Sequence, residues 1–202
     1  MISIIDYGMG NLGSILNMLT KIGLESKLES DPDNLRAATS IILPGVGAFD
    51  NAMERLNSSG FSEAITDFAK TGSPVLGICL GMQLLASQSE EGELKGLNLI
   101  PGDVVKFKSK SIKVPHMGWN IVKPKNESLF SHLENNRFYF VHSYYYFPEE
   151  SEHVAGTTDY GHTFVSCINR ENIFGVQFHP EKSHKFGMQL LTNFSRLSDQ
   201  QF

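Results

Sequence analysis

The stretch SPVLGICLGMQLLA, residues 73–86, joins an apolar strand to an apolar helix through a single cysteine. Cys79 lies between Gly77 and Gly81 in the pattern G-x-C-x-G, the cysteine counterpart of the G-x-S-x-G nucleophile elbow. We predict a sharp strand-to-helix turn at Cys79 and a helix over 80–86, whose N-terminus favours the thiolate over the thiol. From this stretch alone, a cysteine that merely packs in the core is an equally good interpretation.

Short apolar strands alternate with helical patterns on either side of this stretch. Because buried parallel strands are near-continuous apolar runs, this alternation indicates a parallel sheet covered on both faces. The second half instead shows strands joined by turns, with a hairpin predicted at Asp159–His162, and a closing helix. We therefore predict an α/β fold, a doubly wound, mostly parallel sheet with an antiparallel extension, in one domain over 1–202. Strands are predicted at 2–6, 26–30, 40–45 and 74–79, and helices around 12–22, 52–56 and 61–70.

Composition excludes several classes of protein. The 202 residues are 41% hydrophobic and 19% charged, which is typical of a globular chain. A net charge of −5 without a basic run predicts no nucleic-acid surface. The N-terminus has no basic leader, and no segment approaches the roughly 18 apolar residues of a membrane span. We expect a soluble cytoplasmic protein that binds neither nucleic acid nor membrane.

The stretch GMGNLG, residues 8–13, matches the G-x-G-x-x-G dinucleotide fingerprint after a strand and before a helix. That fingerprint also needs an acidic residue at the end of the second strand, for which Glu29 and Asp31 are only loosely placed. A tight turn with Asn11 capping the next helix is the simpler interpretation. A dinucleotide-binding module remains the alternative.

The stretch FGVQFHPEKS, residues 174–183, places His179 and Glu181 two positions apart after an apolar strand. Residues i and i+2 of an extended segment point to the same side, and Pro180 favours extension before it. A carboxylate there would hold the imidazole in one tautomer while its other nitrogen faces a thiol. We therefore predict a triad of Cys79, His179 and Glu181, which also decides for the elbow interpretation of the cysteine.

Other residues of possible chemical importance have simpler interpretations. Cys167 lies within a predicted strand and is expected to pack in the core. His116 and His142 lack the spacing of metal ligands, so we predict no metal site. Trp119 follows Pro and Gly and is predicted on a loop, as a core plug or an interface anchor. The run Tyr144–Phe147 is predicted to be a strand with one buried face.

Five motifs together resemble those of class I glutamine amidotransferases, and the resemblance extends from the first strand to the last helix. The PHMGWN motif and the HPEKS end of the last motif are more specific than the others. They are most similar to the glutaminase subunits of imidazole glycerol phosphate synthases. The resemblance implies a flavodoxin-like fold and no metal or organic cofactor. The motifs are PGVGAF (44–49), GICLGMQLL (77–85), PHMGWN (115–120), FVHSY (140–144) and GVQFHPEKS (175–183).

The resemblance also implies a mechanism and roles for further residues. Cys79 would attack L-glutamine, His179 would protonate the departing ammonia and then activate water, and Glu181 would orient His179. The oxyanion would be bound near Val46, Gly47 and Leu80. The amino-acid end of glutamine would be held by Gln83, Glu91, Ser143 and Tyr144, although Glu91 also fits an ordinary surface acid. The residues facing a partner would be Asn11, Trp119, Tyr139 and Lys182.

The implied partner is a (β/α)8-barrel cyclase subunit that forms a heterodimer with this chain. It would receive the ammonia and make imidazole glycerol phosphate and aminoimidazole carboxamide ribotide in histidine biosynthesis. One alternative is a paralogous glutaminase that supplies ammonia for amidating a surface-polysaccharide sugar. Others are a cysteine hydrolase of related fold and the glutaminase of vitamin B6 synthesis, which lacks the PHMGWN element.

Overall fold

Strands and helices alternate in the first half of the chain, and strands dominate the second half. The computed structural model describes residues 1–108 and 112–198. The helices are α1 (Leu12–Lys21), α2 (Phe49–Ser58), α3 (Phe61–Lys70), α4 (Leu80–Leu84) and α5 (His184–Leu197). The first strands are β1 (Ile2–Ile5), β2 (Ser26–Glu29), β3 (Ser40–Leu43), β4 (Val75–Ile78), β5 (Gln88–Ser89) and β6 (Gly102–Lys106). The others are β7 (His116–Pro124), β8 (Arg137–His142), β9 (Tyr144–Pro148), β10 (Val154–Tyr160), β11 (His162–Arg170) and β12 (Ile173–Val176).

The strands of the described residues form a 12-stranded mixed sheet. Its parallel part has the order β2-β1-β3-β4-β12. From β12 the sheet continues through β11, β10, β7 and β8, each antiparallel to the strand before it. On a second branch β9 pairs with β11 and with β6, and β6 pairs in turn with β5. The doubly wound sheet with an antiparallel extension is thus confirmed.

Alternating side chains of the parallel strands build two hydrophobic cores, one on each face of the sheet. Ile4 and Ile42 belong to the core that includes α1 and α5. Their chain neighbours Ile5 and Ile41 belong to the core that includes α2, α3 and α4. Helices therefore cover both faces, and the loops at the carboxyl ends of the strands collect at one edge.

The end of α1 follows the sequence prediction, and its beginning does not. Gly23 adopts a φ of 75°, and the N–H groups of Gly23 and Leu24 donate to the carbonyl oxygens of Thr20 and Leu19, which closes the helix. Asn11 occupies the N-cap position, but its side chain makes no capping hydrogen bond. The predicted capping by Asn11 is wrong.

Two further sequence predictions need correction. Trp119 lies within β7, because pairing with β8 over His116–Ile121 overrides the loop signals of the preceding Pro and Gly. The helix after Cys79 ends at Leu84 rather than residue 86, since its last turn tightens into i to i−3 hydrogen bonds. None of the helices in the described parts of the chain is long and apolar enough to cross a membrane.

Other local predictions are confirmed. The hairpin at Asp159–His162 joins β10 to β11 around Gly161, whose φ is 71°. Cys167 is fully buried within β11. The run Tyr144–Phe147 lies in β9, with Tyr146 buried and Phe147 62% exposed.

Candidate active site

Cys79 occupies a sharp turn between β4 and α4. Its φ is 55° and its ψ is −110°, a backbone conformation that residues with a side chain rarely adopt. The Cys79 N–H donates to the Val176 carbonyl oxygen at 2.8 Å, which ties the turn to the neighbouring strand β12. A strained turn of this kind at the carboxyl end of a central strand is the geometry of a nucleophile elbow.

The two glycines of the elbow are required by close approach of the backbone. A Cβ atom at Gly81 would overlap the carbonyl oxygen of Leu43 at the end of β3. A Cβ atom at Gly77 would lie 2.6 Å from the carbonyl oxygen of Gly81. The G-x-C-x-G pattern is therefore a steric requirement of packing α4 directly onto β3 and β4.

His179 and Glu181 form a buried pair close to this elbow. Glu181 Oε1 lies 2.7 Å from His179 Nδ1, and the two side chains are only 1% and 2% exposed. The carboxylate accepts a hydrogen bond from the Nδ1–H of His179. When His179 is neutral, its lone pair is therefore on Nε2, which is buried. Burial alone lowers the pKa of His179, but the Cys79 side chain and Glu181 outweigh it and raise the pKa from 6.5 to about 10.

The backbone conformation of the segment that contains His179 and Glu181 differs from the sequence prediction. His179 is extended, with a φ of −103° and a ψ of 97°, as expected before a proline. Pro180–Lys182 instead form a turn of 3-10 helix, so the extended conformation predicted through Glu181 is wrong. The turn still brings the carboxylate back onto the imidazole of the preceding histidine.

A cavity of about 280 Å³ lies over the elbow. Its size suits a single amino acid better than a dinucleotide. Glu181 lies behind His179 and outside the lining. Of the residues singled out from sequence, the walls include Val46, Gly47, Cys79, Leu80, Gln83, Glu91, Ser143, Tyr144, His179 and Lys182.

The predicted oxyanion residues come from two elements that meet at this cavity. Val46 and Gly47 follow β3, and Gly47 adopts a φ of 105°. Leu80 begins α4, next to the nucleophile candidate. The loop is packed tightly, since a Cβ atom at Gly45 would lie 3.0 Å from the backbone nitrogen of Gly81. Both elements therefore border the same cavity.

Gln177 is a residue of the site that sequence reasoning missed. Gln83 Nε2 donates to the Tyr144 carbonyl oxygen at 3.1 Å and to Gln177 Oε1 at 3.0 Å. Gln177 Nε2 in turn lies 3.9 Å from Cys79 Sγ. Its position two residues before His179 was the signal that could have found it.

Glu91 is not an ordinary surface acid in this structure. Its Oε2 accepts from the Phe49 N–H at 3.0 Å, and the side chain is partly withdrawn from water. Burial raises the pKa of Glu91, although the Phe49 N–H opposes that shift. Glu91 thus places a carboxylate at the wall of the cavity that Ser143 and Tyr144 also line.

Three of the residues predicted to face a partner, Trp119, Tyr139 and Lys182, lie close together, and Lys182 also lines the cavity. Lys182 Nζ is 5.9 Å from the centroid of the Tyr139 ring, and the Trp119 ring stands edge-on to Tyr139 at 6.1 Å. Asn11 precedes α1, which contacts the Pro180–Lys182 turn. Met117 and Ile121, which the sequence did not single out, flank Trp119 along β7 and are 62% and 60% exposed.

Glu29, an acidic residue that a dinucleotide site could use at the end of β2, already binds other groups of the protein. Glu29 Oε1 accepts from the Asp31 N–H and from Asn34 Nδ2, both at 3.2 Å, and Lys27 pairs with Oε2. Glu29 is buried by these contacts. The GMGNLG stretch therefore forms a structural turn in this fold.

A family model for class-I glutamine amidotransferases matches residues 3–197 of the chain. The chain belongs to the class-I glutamine amidotransferase family. It is 52% identical to imidazole glycerol phosphate synthase subunit HisH 2 of Methanococcus maripaludis, over 96% of this chain and 98% of the relative. It is also 52% identical to subunit HisH of Moorella thermoacetica, over 97% and 94% of the two chains. The HisH 2 protein of Pseudomonas aeruginosa is 47% identical, over 98% of this chain and 100% of the relative.

Solved structures show the same fold at lower identity. A crystal structure of a glutamine amidotransferase has a TM-score of 0.77 at 17% identity and covers 98% of both chains. The structure of PurLQS from Thermotoga maritima has a TM-score of 0.74 at 20% identity, covering 96% of this chain and 97% of that one. The predicted flavodoxin-like fold of a class I glutamine amidotransferase is confirmed.

The close packing at the elbow predicts that Gly81→Ala is strongly destabilising. The new Cβ atom has no room against Leu43, so we expect the free energy of unfolding to fall by at least about 2 kcal/mol in urea denaturation. Gly13→Ala is the matched control, because no atom lies within 4 Å of its Cβ position in α1. It should leave stability unchanged or raise it by up to about 1 kcal/mol. Equal stabilities of the two variants would contradict the packing described.

The contacts of His179 predict an unusual titration. Its imidazole should stay protonated well above neutral pH in an NMR titration, with a pKa near 10, and Glu181→Gln should lower that pKa by removing the carboxylate. Since the folded pKa exceeds the unfolded value, this stabilisation is full below pH 6.5 and is lost as pH rises through about 10. The difference in free energy of unfolding between wild type and Glu181→Gln should therefore shrink across that window.

The control for this titration is Glu152→Gln, which changes an exposed carboxylate beside His153 and should leave His179 unaffected. A pKa of His179 near 6.5 in the wild type, or one that does not respond to Glu181→Gln, would rule out the ion pair as its cause.

Proposed function

We propose that this chain hydrolyses L-glutamine to glutamate and ammonia, as the glutaminase subunit of an imidazole glycerol phosphate synthase in histidine biosynthesis. The observation that carries the proposal is one cavity lined by both Cys79 and His179, with Glu181 hydrogen-bonded to His179 from behind. Support for the pathway comes from relatives named as HisH subunits of that synthase, which are 46–52% identical over nearly the whole chain.

The chemistry begins with attack of the Cys79 thiolate on the side-chain amide carbon of glutamine. Backbone N–H groups of Leu80 and of the Val46–Gly47 loop stabilise the negative charge that develops on the amide oxygen. Protonated His179 then donates to the amide nitrogen, and the carbon–nitrogen bond breaks to release ammonia and leave a thioester. His179, now neutral, takes a proton from water, which hydrolyses the thioester and frees glutamate.

Binding of glutamine uses the cavity wall away from the elbow. The Glu91 carboxylate attracts the α-ammonium group of the substrate, and the Ser143–Tyr144 segment and Gln83 complete the wall. Glu181 stays behind His179 and fixes which nitrogen faces the thiol. Side chains and backbone N–H groups of this chain are proposed to carry these steps together.

The partner that consumes the ammonia is proposed to be a (β/α)8-barrel cyclase that binds as a heterodimer over the cavity mouth. The exposed row of β7 around Trp119, with Tyr139 and Lys182 beside it, supports this placement because interfaces are enriched in large aromatic anchors. Ammonia would then pass directly to the barrel without entering water. A cytoplasmic location and a single domain over 1–202 belong to the same proposal.

A paralogous glutaminase that serves surface-polysaccharide amidation remains the second candidate. Two of the similar relatives are named HisH 2. Both candidates share the glutaminase chemistry and differ in the synthase that receives ammonia. Stimulation by a histidine-pathway cyclase, measured against stimulation by a sugar-amidating synthase, separates them.

The proposal predicts that Cys79→Ala abolishes glutamine hydrolysis without unfolding the chain. A glutamine-analogue chloroketone should add one adduct to the wild type, at Cys79, as located by peptide mass spectrometry. Cys167→Ala is the control, because that buried thiol should be neither labelled nor needed for turnover. Labelling at Cys167 would overturn the assignment. Hydrolysis of an ester panel in preference to glutamine would favour a cysteine hydrolase.

Coupling to the partner predicts a specific effect at Lys182. Glutaminase turnover should rise by orders of magnitude when the cyclase and its nucleotide ligand are added. Lys182→Ala should reduce this ratio at least tenfold, because the lysine sits on the turn that carries Glu181, while thiol labelling at Cys79 persists. Lys185→Ala, outside the cavity lining, should keep the full ratio. Full glutaminase activity of the isolated chain, unchanged by any partner, would contradict the proposed coupling.

A further inference from the structure

Two buried histidines, His116 and His142, lie opposite each other on β7 and β8 and have no role in the steps above. They are register partners, and His116 Nδ1 lies 2.9 Å from His142 Nε2. Both are nearly inaccessible to solvent, at 3% and 6% exposure. His142 also lines the cavity that contains Cys79.

Groups at the two ends of this pair determine which nitrogen carries each proton. His142 Nδ1 lies 2.8 Å from the Tyr144 carbonyl oxygen, which can only accept, so His142 carries its proton on Nδ1. Its Nε2 must then accept from His116 Nδ1. At the other end Asn120 Nδ2 lies 3.2 Å from His116 Nε2 and donates to the Asp159 carbonyl oxygen at 3.0 Å.

The result is one chain of hydrogen bonds in which each group donates to the next, from Asn120 through His116 and His142 to the Tyr144 carbonyl oxygen. Both imidazoles must be neutral, because a second proton on either ring would face another N–H group. The surroundings agree, since His116 is stacked between the rings of Phe140 and Tyr160 at 4.8 Å and 4.0 Å. Burial lowers the pKa of His116 to about 4 and, with a smaller effect of His116 and His179, that of His142 to about 3.

Neither histidine of this pair can act as a general base in the hydrolysis. Both ring nitrogens of His142 are occupied within the protein, although the ring borders the cavity. His179, whose Nε2 makes no hydrogen bond to the described residues, is the one that can exchange protons there. The pair must therefore act through what it holds.

The chain ends where the glutamine-binding wall begins. The Tyr144 carbonyl oxygen accepts from His142 Nδ1 and also from Gln83 Nε2 at 3.1 Å. Gln83 then bonds to Gln177, whose amide reaches Cys79 Sγ. One network thus joins Asn120, next to the exposed Trp119, to the wall of the cavity.

We propose that His116 and His142 are positioning residues that hold the Tyr144 carbonyl and Gln83 in place to bind glutamine. This inference rests on the proposed function, because it assigns the pair to the substrate of that same cavity. It gives a role to two polar members of the PHMGWN motif, His116 and Asn120, that the triad leaves unexplained. A purely structural pair would stabilise the fold without affecting the affinity for glutamine.

The hydrogen-bond chain itself is tested by NMR on wild-type protein labelled with ¹⁵N-histidine. Both His116 and His142 should be neutral at pH 7 and carry their proton on Nδ1, the less common tautomer in water. Either ring with its proton on Nε2, or with two protons, would overturn the chain. This result does not depend on whether the protein is a glutaminase.

The positioning role is tested by steady-state kinetics with glutamine, in the presence of the cyclase partner and its ligand. His116→Phe removes the donor to His142, so we expect the KM for glutamine to rise about tenfold or more while kcat changes by less than about threefold. His116→Asn restores an N–H donor near Nδ1 and should return the KM to within about threefold of wild type. Tyr160→Phe is the control, because it removes only the hydroxyl that donates to the Lys113 carbonyl oxygen and keeps the ring on His116.

Two outcomes of these kinetics contradict the inference. One is an unchanged KM in folded His116→Phe, and the other is the same rise in His116→Phe and His116→Asn. If His116→Phe does not fold, His116→Asn is compared with Tyr160→Phe instead. Both variants should bind glutamine almost normally, and a tenfold loss of affinity for glutamine in His116→Asn would count against the role. Absence of glutamine turnover in the wild type with its partner would instead refute the proposed function, and the tautomers would still decide whether the chain exists.

Discussion

The approach of Gly81 to the carbonyl oxygen of Leu43 is the contact on which the candidate site depends. It packs α4 directly against the end of β3, and this forces the chain into the left-handed turn that presents Cys79. The segment that follows Leu43 is the Val46–Gly47 loop, so the same contact brings that loop beside the thiol. A larger residue at position 81 would move α4 away from the end of β3, and so would move Cys79 away from the Val46–Gly47 loop. One steric constraint thus sets the distance between two parts of the site that are far apart in sequence.

Two kinds of histidine share the walls of the cavity, and their surroundings give them opposite properties. His179 meets a buried carboxylate and a thiol, which raise its pKa to about 10 in spite of burial. His142 meets only a carbonyl oxygen, another imidazole and aromatic rings, and burial lowers its pKa to about 3. Local partners rather than residue type therefore decide which ring stays protonated and which stays neutral.

The two halves of the sheet contribute different parts of the site. The parallel half brings β4 and β12 side by side, so that Cys79 and His179 follow adjacent strands. The antiparallel extension provides the Ser143–Tyr144 wall and, on the outer side of β7, the exposed row around Trp119. The buried polar network through His116 runs between that row and the wall. This arrangement puts the exposed row around Trp119 and the wall of the cavity at the two ends of one hydrogen-bonded network.

The sequence by itself determined the strand–helix alternation, the sharp turn at Cys79 and the pairing of His179 with Glu181, because each depends on residues close together in the chain. One prediction failed because it required the neighbours of a segment: Trp119 was expected on a loop, yet pairing with β8 places it in β7. The roles of Gln177 and of the His116–His142 pair were likewise invisible. Only the tertiary structure decided them, because a buried polar side chain takes its function from its hydrogen-bond partners, and strand register brings those partners together across long stretches of sequence.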